Sequence, residues 1–333
     1  MKMLVVGIDG APRRLLEQSP WMRPYDLRDM YAPIPLSGPS WFSIYTGLST
    51  LEHGVLDVLG RKCSWAGQIP KAYADVYDKC MWSMLEREGV NCALCNLPVA
   101  TPIIPGAASV HTSGYPAQPT MLIDPPELTE TLPRRWLEMC DIAHYGTYLG
   151  TDMVWNNDWP QLARYYTGSD TSKLLASISE DSKAVAEWFV KYCRSFDFGF
   201  IGFTFVDRLG HMFGLSDTVG NAGLAIIGDV LEILRHVYAE NILIVSDHGF
   251  TKERDIDAGP VLEFHEYMGS IALLSRSKTL KLPDRDLTNV DVMPVVLEAF
   301  GKQHLLADKV SDLEDDESLM PLVVDRLQGL GYM

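Results

Sequence analysis

The sequence predicts an α/β protein: a mostly parallel central sheet with helices on both faces, plus an irregular cap segment. Two patterns carry that prediction. At both ends of the chain, short apolar runs of strand length alternate with stretches of helical periodicity, as repeated βα units do. Between them, residues 101–170 break the alternation with eight prolines interleaved with tryptophan and tyrosine. That chemistry suits an irregular segment laid over a regular scaffold. Residues 1–333 are accordingly read as one domain, with 101–170 as its proline- and aromatic-rich cap insertion.

The elements follow in chain order. Met3–Ile8 is a continuous apolar run, the pattern of a strand buried on both faces. Residues 39–46 predict a helix stopped by Gly47, and residues 78–88 a helix ending at Gly89 that feeds a strand over 90–97. Ile178, Val185, Trp188, Phe189 and Tyr192 make one apolar helical face ahead of a strand at 198–206. Leu224, Ile227, Leu231 and Leu234 recur at helical spacing before a strand at 242–245. A last helix starts near Asp291, with Pro294 tolerated in its first turn and Gly301 just past its end.

Composition narrows the partners. Of 333 residues, 47% are apolar and 22% charged, which excludes a disordered, collagen-like or small disulfide-stapled chain. The balance of 28 basic against 44 acidic side chains leaves a net charge of −16. A long nucleic acid or an anionic membrane needs a basic track, so both are excluded as expected partners. A small phosphate ester is not excluded, provided something local supplies positive charge. No apolar run approaches the roughly 20 residues that span a bilayer, and the apolar start is too short for a signal-peptide core. The six cysteines are therefore expected as reduced, buried thiols of a cytoplasmic protein.

The chemistry lies in where certain acids fall. Asp9, Asp207 and Asp247 each stand at or just beyond the carboxyl end of a predicted strand, and in open α/β sheets those ends share the edge where ligands bind. Any one Asp is ordinarily a helix cap or turn former. Three together, two with histidines beside them, point to a metal site. His211 stands four residues after Asp207, His248 adjoins Asp247, and His265 is the best further ligand, in a turn-rich segment shortly beyond. Mixed carboxylate and imidazole donors suit Zn²⁺, Mn²⁺ or Fe better than Mg²⁺ or Ca²⁺. Gly210 and Gly249 beside these pairs are expected to let the backbone turn tightly. His111, His144, His236 and His304 have no acidic companion in a suitable motif and are read as structural.

Ser37 and Ser40 stand at the start of the first long helix, where free N–H groups and the helix dipole favour an anion. A hydroxyl becomes a nucleophile near neutral pH only when a base or metal activates it. The pattern alone leaves open which serine acts, and whether either does more than cap the helix.

The ordered set Gly7-Ile8-Asp9-Gly10, Ser37-Gly38-Pro39-Ser40-Trp41, Asp207-x-x-Gly210-His211 and Asp247-His248-Gly249-Phe250 resembles the alkaline phosphatase superfamily. Within it the chain is similar to the type I phosphodiesterase/nucleotide pyrophosphatase branch. Asn96-Leu97-Pro98, Ser113-Gly114-Tyr115 and Asp291-Val292-Met293-Pro294 extend that similarity over most of the chain. The resemblance implies two divalent metal ions, zinc first and manganese or iron as alternatives. One would be held by Asp207, His211 and His265, the other by Asp9, Asp247, His248 and the oxygen of Ser37. It implies Ser37 as the nucleophile, since the family's stands two positions before this proline, with Ser40 contacting the phosphoryl group.

The implied activity is hydrolysis of a small phosphoester through a phosphoserine, by a phosphodiesterase or nucleotide pyrophosphatase; a homo-oligomer is compatible with it. A phosphomonoesterase acting on a nucleotide or sugar phosphate, or a phosphonate hydrolase, would share these ligands. A metal-binding scaffold without catalysis is the alternative from another class. Trp41 stands where a sulfatase has arginine, which argues against sulfatase activity. His53 is expected to stiffen its turn rather than bind metal.

Overall fold

The computed structural model describes residues 1–55, 73, 76–100, 103–112, 114, 123–133, 171–215, 217–250 and 265–306. Its sheet takes strands in the order Leu287–Thr288 (β11), Asp26–Tyr31 (β2), Met268–Ser275 (β10), Asn241–Ser246 (β7), Met3–Ile8 (β1), Phe198–Phe203 (β6), Cys92–Cys95 (β3), Val110–Thr112 (β4) and Ile123–Asp124 (β5). A separate ribbon pairs Gly249–Phe250 (β8) with His265–Glu266 (β9). The predicted parallel core is present: β1 runs parallel to both β6 and β7, and β3 to both β6 and β4. Antiparallel strands lie to either side, β10 against β7 and β2, and β5 against β4.

All six residues of β1 are buried, because the strand alternates between two cores. Leu4, Val6 and Ile8 pack with Phe189, Val206, Ile227 and Leu231. These come from the helices Thr171–Cys193, Phe205–Phe213 and Asp217–Leu234. Met3 and Val5 face the other way, toward Trp41, Tyr45, Trp82 and Val296. Those belong to the helices Ser37–Thr46, Met81–Arg87 and Val292–Phe300. Helices on both faces follow, as an α/β sheet of buried apolar strands requires.

Several boundaries differ from the sequence expectation, each for a physical reason. The apolar run 198–206 is strand only to Phe203; Phe205, Val206 and Leu209 are buried on a helix that carries Asp207 in its first turn. A continuous apolar run does not by itself separate strand from buried helix. The first long helix begins at Ser37 rather than at 39, and ends at Gly47 in a left-handed conformation (φ 63°). The helix expected over 78–88 is a 3₁₀ turn, Tyr77–Lys79, followed by Met81–Arg87, because Cys80 between them is extended. The strand expected over 90–97 shortens to Cys92–Cys95, with Asn96 turning left-handed at φ 55°.

Strands β2 and β10 were not expected. In β2 the sequence Asp-Leu-Arg-Asp-Met-Tyr mixes charges with apolar residues, and only Met30 is fully buried. The start of the cap is partly sheet, since β4 and β5 extend the sheet and a 3₁₀ turn, Pro126–Thr131, follows them. Residues 134–170 of the segment expected as a cap, His144 included, lie outside the described residues. Cys80, Cys92, Cys95 and Cys193 are buried thiols outside any disulfide, and burial pushes the Cys193 thiol up to about 12. No described helix is long and apolar enough to cross a membrane.

Candidate metal centre and nucleophile

Asp9 leaves β1 at its carboxyl end, and its backbone joins two elements. Its N–H donates to the Phe203 carbonyl (2.9 Å), and its own carbonyl accepts the Asp207 N–H (3.0 Å). Gly10 makes this approach possible. It sits at φ 72°, and a Cβ there would lie 3.0 Å from the Asp207 Cα. The Gly10 N–H donates to Asp247 Oδ1 (3.3 Å), and the Ala11 N–H to Ser246 Oγ (2.7 Å). Ser246 in turn donates to the His248 carbonyl (2.8 Å). The end of β1 is thereby tied to the end of β7 and to the first turn of the Asp207 helix.

These ties gather the side chains. Asp9, Asp247 and His248 offer ligand atoms within 4.8 Å of one another, all buried; Asp207, His248 and His265 do the same. His248 Nε2 lies 3.4 Å from Asp9 Oδ1, 3.4 Å from Asp247 Oδ2 and 3.9 Å from Asp207 Oδ1. His265 Nε2 lies 3.4 Å from Asp207 Oδ1. The rings of His248 and His265 stack with centroids 4.0 Å apart.

Both tautomers follow from the partners. A carbonyl can only accept, so Nδ1 of His248 donates to Gly249 O (2.9 Å) and Nδ1 of His265 to Pro35 O (2.7 Å). Each Nε2 is then the ring atom that faces the carboxylates, the orientation a histidine needs to bind a metal there.

Ser37 is the first residue of its helix, and Leu36 at the cap provides no side-chain hydrogen bond. Its hydroxyl donates to Asp9 Oδ1 (3.3 Å) and lies 3.3 Å from His248 Nε2. Four residues on, Trp41 donates its indole N–H to Asp9 Oδ2 (3.0 Å). Ser40 points elsewhere: fully buried, it donates to the Ile34 carbonyl (2.7 Å). His211 falls on the Asp207 helix one turn along, its side chain outside the described residues. His53 keeps to its turn, with Nε2 at 3.1 Å from Ser43 Oγ and Nδ1 accepting the Val55 N–H (3.0 Å).

The two motif glycines act through space rather than through unusual dihedrals. A Cβ at Gly210 would come 2.7 Å from the Phe250 ring, and one at Gly249 would come 2.3 Å from the Met268 carbonyl. Neither has a positive φ.

Electrostatically the cluster is costly without a cation. Burial, and then the charge of Asp207, raise Asp9 to about 7. Burial, then Asp9 and Asp207, push Asp247 well above the usual carboxylate range. Asp247 Oδ2 is buried and has no hydrogen-bond partner. An orphaned buried oxygen among two further carboxylates and two prepared imidazoles fits a divalent ion with mixed oxygen and nitrogen ligands.

Sequence reasoning missed Trp41, Ser246 and Arg14 in this neighbourhood. The signal for Trp41 was its i+4 spacing from Ser37, which puts both on one helix face. Arg14 bonds the Phe250 carbonyl and the Glu266 carboxylate, holding the β8–β9 ribbon that carries His265. Nothing in a lone surface arginine announces that.

The family model for "Type I phosphodiesterase / nucleotide pyrophosphatase" matches residues 3–317. The chain belongs to this family. It is the branch that its motifs resembled. No curated protein matches it. Among solved structures, murine ectonucleotide pyrophosphatase/phosphodiesterase 5 is similar at 17% identity and a TM-score of 0.40, with 77% of this chain and 59% of that chain covered. Phosphonoacetate hydrolase from Sinorhizobium meliloti 1021 is similar at 15% identity and 0.42, with 78% and 59% covered. A Bacteroides thetaiotaomicron protein of glycosaminoglycan metabolism (BT33494S-sulf) is similar at 12% identity and 0.44, with 91% and 73% covered. This chain thus spans well under two thirds of the length of the first two.

Proposed function

We propose that this chain hydrolyses a small phosphoester through a phosphoserine formed on Ser37, with a phosphodiester or a nucleotide pyrophosphate as substrate. The observation that carries this is the place of the Ser37 hydroxyl, 3.3 Å from both Asp9 Oδ1 and His248 Nε2 at an uncapped helix start. Two divalent ions fit the donors, zinc first, with manganese or iron as alternatives. Asp9, Asp247, His248 and Ser37 would hold one, and Asp207, His265 and His211 the other. Bound there, they would supply Lewis-acid polarisation of the phosphoryl oxygens and charge stabilisation of the leaving alkoxide.

The chain's own residues do the rest. Asp9 Oδ1 accepts from the Ser37 hydroxyl and so fixes the direction in which Oγ points. Attack by Oγ forms the Oγ–P bond as the opposite P–O bond breaks, and the alcohol or phosphate leaves with the proton that the hydroxyl gives up. Water then cleaves the phosphoserine, releasing the phosphate product and restoring the hydroxyl. The first-turn donors left to meet the incoming anion are the N–H groups of Ser37 and Gly38, since Pro39 has none and the Ser40 N–H bonds the Leu36 carbonyl. They take the place foreseen for Ser40, whose hydroxyl is engaged by Ile34.

The test is Ser37→Ala assayed on paired diester and monoester model substrates. Turnover is expected to fall by about 10³-fold or more, as for loss of a covalent nucleophile, while metal content stays unchanged. Full activity in that variant would remove Ser37 from the reaction. Preference for the monoester in the wild-type protein would shift the reading to a phosphomonoesterase.

A further inference from the structure

Trp41 is fully buried and cannot swing away. Its ring covers Gly7, where a Cβ would lie 2.7 Å from Cη2. It stacks on Tyr45 with centroids 5.7 Å apart, and Phe200 meets it edge-on at 6.4 Å. The indole N–H can only donate, and a buried one needs an acceptor. That acceptor is Asp9 Oδ2, at 3.0 Å. The other oxygen, Oδ1, is the one that meets Ser37 and faces His248. The donation also opposes the upward push that burial gives the Asp9 carboxyl.

We infer that Trp41 is a positioning residue: it claims Asp9 Oδ2 and thereby presents Oδ1 alone to the metal ligands and to the nucleophile. One helix face performs both tasks, since Ser37 and Trp41 stand one turn apart on Ser37–Thr46. The inference rests on the metal reading proposed above, and it assigns a role that the bulk of the ring does not explain. Gly7 sits under the ring, so the indole and its strand are matched in shape as well as in hydrogen bonding.

The experiment compares zinc binding by calorimetry in the full-length wild-type protein, in Trp41→Phe and in Tyr45→Phe. Outer partners of metal ligands are worth about 10–100-fold in affinity. Trp41→Phe, which keeps a ring but no donor, is expected to weaken one zinc site by that factor and to leave the other unchanged. Tyr45→Phe disturbs the same aromatic cluster without touching Asp9, and is expected to leave both sites unchanged. Equal affinities in Trp41→Phe and wild type overturn the inference, and so does an equal loss in Tyr45→Phe. A second measurement needs neither metal nor a folded Trp41 variant. In the metal-free protein the Trp41 indole proton resonance is expected to shift on Asp9→Ala. A resonance that stays in place overturns the contact, whereas a shift in a protein that takes up no zinc sinks the metal reading and leaves the contact standing.

Discussion

Asp247 is fully buried, and burial with the charges of Asp9 and Asp207 holds its proton far above the usual carboxylate range. Its replacement therefore has opposite effects with and without metal. Asp247→Asn is expected to abolish binding at one metal site, yet to leave the chelator-treated protein as stable as the wild type or more so, by about 1–3 kcal/mol. Denaturant titration in chelator reads this directly. A large loss of stability there would mark Asp247 as a structural partner of Gly10. His53 makes a second prediction. Burial lowers its pKa from 6.5 to about 4, and Nδ1 accepts the Val55 N–H, which requires the neutral ring. The unfolded chain takes up this proton near pH 6.5 and the folded chain only near 4. The stability gained from neutral His53 is thus complete above pH 6.5 and is lost as pH falls toward 4, by roughly 3 kcal/mol. His53→Asn should flatten the slope of stability over that window, and an unchanged slope would reject the assignment.

At the scale of elements, the site is a junction of segment ends. The end of β1, the end of β7 and the first turn of the Asp207 helix meet through the backbone of residues 9–11 and through Ser246. Ser246→Ala removes one acceptor and one donor that serve buried main-chain groups. The expected cost is about 1–3 kcal/mol, with weakened metal affinity because Asp247 and His248 follow directly. Thermal denaturation together with zinc titration checks both; a stability loss with metal affinity intact would confine Ser246 to the fold. The strand β1, the helix up to Gly47 and the last helix up to Gly301 were legible, because period and stop signals agree there. Asp207 was placed at a strand end and lies in a helix, because nine consecutive apolar residues read alike in either state. Strand β2 was illegible because its polar residues are tolerated toward the end of the sheet.

For the whole molecule, a net charge of −16 opposes binding of any anion. Three of the acids in that formal count, Asp9, Asp207 and Asp247, are collected at one sheet edge, where two divalent ions would make the local field positive as substrate arrives. The metal-free protein is expected to bind vanadate or inorganic phosphate poorly, and the zinc-loaded protein to bind it well. Zinc at a thousand times its Kd should add about 4 kcal/mol of stability, visible as a fall in Tm on adding chelator. A Tm indifferent to both zinc and chelator would count against the centre as a whole.

Sequence by itself determined the α/β class, the family, and the identity of most candidate ligands, because periodicity and short ordered motifs are local properties of the chain. Only the tertiary structure decided which oxygen of Asp9 faces Ser37, that His248 stands between two groups of carboxylates, and that Trp41, Ser246 and Pro35 hold them in place. Most of those facts depend on residues from 28 to 237 positions apart meeting at one sheet edge. No local pattern encodes the angle at which they meet.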